Sequence, residues 1–170
     1  MPSTEKIPAL CGSPLTINSS ERSWIESSQV GSVNVVIILS LEGMITKELL
    51  QQAFVNLCKE ETKWSMTVKG KNWQLLTSRL FVREAAAEAE PDQIAKTEAN
   101  DPIPLGECLV RIVWQRLEEL NSHRLFITLH HTIVDTFTGK AFMTGMLKHM
   151  GAIQSGHWRE QTLDELHHGR

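Results

Sequence analysis

Three ionisable residues in one short run carry the chemistry this chain can offer: His130, His131 and Asp135, in His130-His131-Thr132-Ile133-Val134-Asp135. An imidazole titrates near neutrality and can both take and give a proton, so the question is what aims it. Leu125, Phe126, Ile127 and Leu129 lead into the pair with the length and composition of a buried strand. Successive strand side chains point to opposite faces, so the two histidines cannot share one target. His131 falls on the face of Ile127 and Leu129, at the strand's end. Asp135 follows four residues later. Its carboxylate can fold back toward the imidazole, where it holds the loop or fixes one tautomer of the ring. Histidine and carboxylate are also zinc ligands, but adjacent strand histidines diverge and no cysteine or third group stands at a chelating spacing. The expectation is therefore no metal site.

The elements around this run must position it. After Asp135, Thr136 or Thr138 can cap a helix in which Phe142, Met146 and Met150 recur at helical spacing. Upstream, Cys108 to Gln115 alternates as a strand and Arg116 to His123 connects it to the motif strand, which predicts an antiparallel pair. Val33 to Leu41 is β-branched and apolar on both faces in its middle, and reads as a central strand covered on both sides. A turn at Glu42-Gly43-Met44 leads to a helix capped by Thr46, with an apolar stripe of Ile45, Leu49, Leu50, Ala53, Phe54 and Leu57. Trp64 to Val68 and Trp73 to Thr77 read as a hairpin. Ser19 or Ser20 can cap a short helix carrying Arg22, Trp24 and Ile25. Asp92 to Ala99, in an acidic, alanine-rich stretch, reads as a short exposed helix.

At 170 residues, 41% hydrophobic and 22% charged, the chain can bury the core of one ordinary domain. A net charge of −3, scattered basic residues and no tyrosine give no reason to expect nucleic acid. Cys11, Cys58 and Cys108 are odd in number and far apart, which points to a reducing compartment, the cytoplasm, rather than a disulfide framework. The N-terminus lacks the form of a signal peptide, and no apolar run approaches the ~20 residues that span a membrane. Residues 1–14 hold three of the six prolines and read as a flexible arm, 15–150 as the domain, and 151–170 as a tail in which Gln161 to His168 reads as helical and His167 and His168 as a surface pair near the chain end.

Taken with this order of elements, His130 to Thr136 (HHTIVDT) resembles the HHxxxDG motif of the chloramphenicol-acetyltransferase-like acyltransferases. That superfamily includes condensation domains of peptide synthetases, alcohol acetyltransferases and polyketide-associated acyltransferases. The similarity spans roughly Leu15 to Met150 and includes Arg22 and Trp24 in the opening segment. It implies an α/β fold, a mixed, mostly antiparallel sheet with packed helices, forming the N-terminal half of a two-half enzyme. It implies that His131 is the general base that deprotonates a hydroxyl or amine acceptor, that Asp135 organises the loop, and that His130 completes the motif. The co-substrate implied is an acyl thioester of coenzyme A or of an acyl carrier protein, with no bound cofactor. A second polypeptide would supply the missing C-terminal half. Two departures bear on the loop. Thr136 stands at the motif's glycine, and Ser65 stands where the family has the arginine that pairs with the motif aspartate. The alternative is a non-catalytic half-domain that serves as a binding or interaction module.

Overall fold

The computed structural model describes residues 16–75, 80–117 and 121–156. The N-terminal arm, Leu76 and Thr77 of the expected hairpin, and the expected helix and histidine pair near the C-terminus lie outside these residues.

The core is a four-stranded sheet in the order β1-β6-β5-β4. Its strands are β1 (Asn34–Glu42), β4 (Phe81–Ala85), β5 (Val110–Arg116) and β6 (Ser122–His130). β6 pairs antiparallel with both β1 and β5, while β4 runs parallel to β5, so the sheet is mixed and mostly antiparallel, as expected. Helices α2 (Lys47–Glu60) and α4 (Thr136–Gln154) cover one face. Helix α3 (Pro91–Asn100) covers part of the other. A separate hairpin, β2 (Met66–Lys69) and β3 (Asn72–Leu75), and a short helix α1 (Ser19–Ser28) flank this unit.

The apolar stripe of α2 is buried residue for residue, from Ile45 to Leu57, and Thr46 caps the helix through Leu49 N–H at 3.1 Å. It meets Phe142, Met146 and Met150 of α4. Gly145 permits the close approach of the two helices, since a Cβ there would lie 2.5 Å from Leu57 Cδ1. At the turn after β1, Gly43 takes φ +114°, open to glycine at little cost. β6 is the most buried strand, with Leu125, Ile127 and Leu129 on the α2/α4 face and Phe126 and Thr128 on the α3 face.

Two expectations are corrected. Among the described residues β1 is an edge strand, paired only with β6, not a central strand. Its apolar character on both faces is explained without a second neighbour: Val35, Ile37, Leu39 and Leu41 pack on the main core and Val36 packs under α3, while Ile38 is 47% exposed. α3 is not a solvated helix either. Ile94 and Glu98, four residues apart, form a buried inner face. Glu98 accepts from Arg83 at 3.1 Å, Arg111 at 2.6 Å and Thr128 at 3.0 Å, and Arg111 also bonds Asp101 at 2.8 Å. An acidic, alanine-rich composition conceals this inward pair because its partners lie on distant strands.

Candidate active site

The site is built where β6 ends. His130 is the last strand residue, directly opposite Asn34 of β1, on the face that carries Thr128 and Val36 beneath α3. His131 continues the ladder by one bond, its N–H donating to Val33 O at 3.0 Å. The chain then turns tightly, with Ile133 N–H on His130 O at 3.0 Å, and α4 begins. The two histidines thus part as strand alternation requires. His130 goes inward under α3, and His131 goes outward to line a cleft of about 480 Å³.

His130 is 1% exposed. Its Nδ1 accepts from the Thr132 amide at 3.2 Å, so the neutral ring carries its proton on Nε2. Burial, reinforced by neighbouring His131, pushes its pKa down to about 4. Nε2 is buried and has no hydrogen-bond partner among the described residues. Asn34 Oδ1 and Thr132 Oγ1 are in the same state.

Asp135 is exposed and is the N-cap of α4. It accepts from Thr138 N–H at 2.7 Å and Thr138 Oγ1 at 2.8 Å, and its own N–H donates to Thr138 Oγ1 at 2.7 Å. The Thr138 amide above all, then the Thr138 hydroxyl, the Phe137 amide and the charge of Lys63, hold its carboxyl below the usual range. Of the two tasks open to it, the geometry assigns holding the loop. It makes no bond to the His131 ring, and among the described residues no arginine pairs with it: Arg111 is engaged by Glu98 and Asp101. The cap is Asp135 itself rather than Thr136 or Thr138. Thr136 starts the helix without a left-handed backbone angle, so the glycine of the related motif is not required here.

The His131 ring stacks on the Trp24 indole, centroids 3.8 Å apart and planes 14° apart. Its Nδ1 is buried and unpartnered among the described residues. α1 brings Trp24 to this position. Asn18 and Glu21 form a reciprocal capping box, and Glu21 Oε2 also accepts from Trp73 Nε1 at 3.2 Å, tying α1 to the hairpin. Asn18, not Ser19 or Ser20, is therefore the cap. Lys63 reaches the same cleft while its ammonium sits 4.3 Å from the Trp64 ring. The sequence offers Trp24 only as a matching aromatic and gives no signal that Trp73 and Glu21 belong to the site. Their approach depends on how α1 and the hairpin fold toward β6, which no local periodicity encodes.

Cys58 and Cys108 are free thiols held in protonated form. Burial, and then the proximity of Cys108, pushes Cys58 up to about 12, and burial raises Cys108 as well. Neither is a nucleophile at neutral pH. No helix among the described residues is long and apolar enough to cross a membrane.

No family model and no curated protein matches this chain. Solved structures do match. A variant of the starter condensation domain of the rhizomide synthetase RzmA superposes with TM-score 0.74 at 10% identity, over 88% of this chain and 40% of its own. Another variant of that domain, in complex with C8-CoA and Leu-SNAC, gives 0.70 at 13% identity over 84% and 36%. The X-domain from teicoplanin biosynthesis, in complex with OxyB, gives 0.70 at 20% identity over 95% and 37%. The chain therefore has the fold of condensation domains, the fold expected from its motif. It spans 36–40% of the length of these neighbours.

Proposed function

We propose that this chain is the base-bearing half of a condensation-type acyltransferase. It would bind an acyl thioester of coenzyme A or a carrier protein in the cleft below α1 and present His131 to a hydroxyl or amine acceptor. The observation that carries this reading is the placement of His131. It leaves the end of β6 on the cleft side, with only Nδ1 buried, while its neighbour His130 is sealed beneath α3. His131 takes the acceptor's proton as the acceptor's oxygen or nitrogen attacks the thioester carbonyl. The tetrahedral intermediate then collapses, the C–S bond breaks, and the thiolate leaves with the proton that His131 returns. Asp135 serves by fixing the start of α4, and His130 by packing the strand end. Positioning two substrates for attack needs walls on both sides of the base. The part of the condensation fold that this chain does not span would supply the second wall.

One observation favours a second reading, a binding module. Among the described residues His131 Nδ1 has no acceptor to hold a proton there, so no hydrogen bond selects the tautomer in which Nε2 acts as a base. The two readings separate in one set of assays. Purified chain is titrated with acetyl-, octanoyl- and palmitoyl-CoA. Thiol release is then followed with Leu-SNAC as acceptor, for wild type and His131→Ala, with and without the rest of the condensation fold. Binding by the chain alone, with His131-dependent release only in the completed fold, is the expected result. Release that ignores His131 in the completed fold leaves the binding module standing. Failure to bind any thioester overturns both.

A further inference from the structure

We infer that Trp24 is the positioning residue of His131: the indole face, in place of a carboxylate, fixes the plane of the imidazole. This rests on reading the cleft as an acyl-transfer site, but the geometry behind it does not. A histidine ring on a rigid backbone still has two side-chain torsions to settle, and a hydrogen bond to one ring nitrogen usually settles them. That bond is missing here. Nδ1 is buried with no partner among the described residues, and Asp135 spends its carboxylate on capping α4. The Trp24 indole lies against the ring at 3.8 Å and nearly parallel.

The stack is supported from both sides. The His131 backbone is pinned by the bond to Val33 O. α1 is pinned by Glu21, which joins Asn18 at its cap and the Trp73 indole of the hairpin. α1 buries none of its residues, so no core packing explains why a tryptophan stands at this position of a polar helix. A flat, electron-rich face restrains an imidazole packed parallel to it at van der Waals distance and attracts the ring more strongly once it is charged. Trp24 therefore holds the ring's plane through a proton transfer without claiming either nitrogen, which leaves Nε2 for the cleft.

The test is NMR of the full chain labelled at histidine and tryptophan, followed by kinetics. Wild type is expected to show cross-relaxation between Trp24 and His131 ring protons and an upfield displacement of the His131 ring protons by the indole. Trp24→Leu, apolar but smaller and not aromatic, should abolish the displacement while the backbone amide spectrum away from α1 and the His131 loop stays unchanged. Trp24→Phe should restore part of it. In the completed fold, Trp24→Leu should lower kcat for thiol release at least tenfold with KM near wild type, and Phe should rescue it. Absence of the wild-type cross-relaxation overturns the assignment even if the variants fail to fold. So does a folded Trp24→Leu chain with unmoved His131 resonances. Thioester binding decides the acyl-transfer reading separately, because the ring signals require no ligand.

Discussion

The two ends of β6 hold histidines in opposite conditions. At the first end, His123 is 4% exposed and both ring nitrogens are used: Nδ1 accepts from Trp114 Nε1 at 3.0 Å, and Nε2–H donates to Gly43 O at 2.9 Å. At the far end, His130 has one nitrogen bonded and one orphaned, and His131 has no ring hydrogen bond at all among the described residues. The first arrangement satisfies every polar atom and ties β5, β6 and the turn after β1 into one unit. The second leaves buried polar atoms without partners among the described residues on both sides of the strand end: Asn34 Oδ1 and His130 Nε2 on the α3 side, and His131 Nδ1 and Thr132 Oγ1 in residues that line the cleft. Buried polar groups are normally paired, so exceptions gathered at one end of a strand mark where a chain has accepted cost for something other than stability.

The largest expected effect breaks the satisfied end. His123→Ala removes two hydrogen bonds, strands the Trp114 indole N–H in the core and opens a cavity, so we expect a loss of roughly 2–4 kcal/mol in urea unfolding. His131→Ala, at the partly exposed far end, should cost less than about 1 kcal/mol. Equal losses at both ends would erase the contrast.

Intermediate in size is the pH dependence of His130. Its folded pKa of about 4 lies below the ordinary value of 6.5, so the unfolded chain binds a proton more readily. The stability tied to a neutral His130 is complete above pH 6.5 and drains away as pH falls toward 4. The loss reaches about 3 kcal/mol at one unit of pKa per 1.4 kcal/mol. Urea midpoints measured from pH 7 to 4 should fall more steeply for wild type than for His130→Leu, and parallel curves would refute the assignment.

The smallest effect concerns Asp135. As a helix cap it should tolerate Asn, whose side-chain oxygen accepts the same Thr138 amide bond, while Ala should lower the melting temperature by a few degrees. If Asn is as damaging as Ala, the carboxylate is needed for its charge, and capping alone does not account for Asp135.

Much of this was legible in the residues. The α2 stripe, the Thr46 cap, the antiparallel β5–β6 pair and the divergence of His130 and His131 all follow from local periodicity. What was not legible depended on partners far away in the chain. β4 lies parallel to β5 by a long-range crossover that no short pattern announces. β1 reads as central because apolarity on two faces does not say whether a strand has one neighbour or two. α3 reads as solvated because Glu98 acquires its meaning only from Arg83, Arg111 and Thr128. At the site, the spacing to Asp135 admitted both a loop-holding and a ring-orienting role, and only the position of Thr138 decides between them.

Mapping octanoyl-CoA onto the labelled chain by NMR tests whether the cleft beside His131 receives an acyl thioester. Perturbations are expected at the His131 ring and at the Trp24 and Trp73 indole N–H signals, with His123 and the Trp114 indole unmoved. Perturbations confined to the exposed edge of β1, or none at saturating thioester, would contradict this placement.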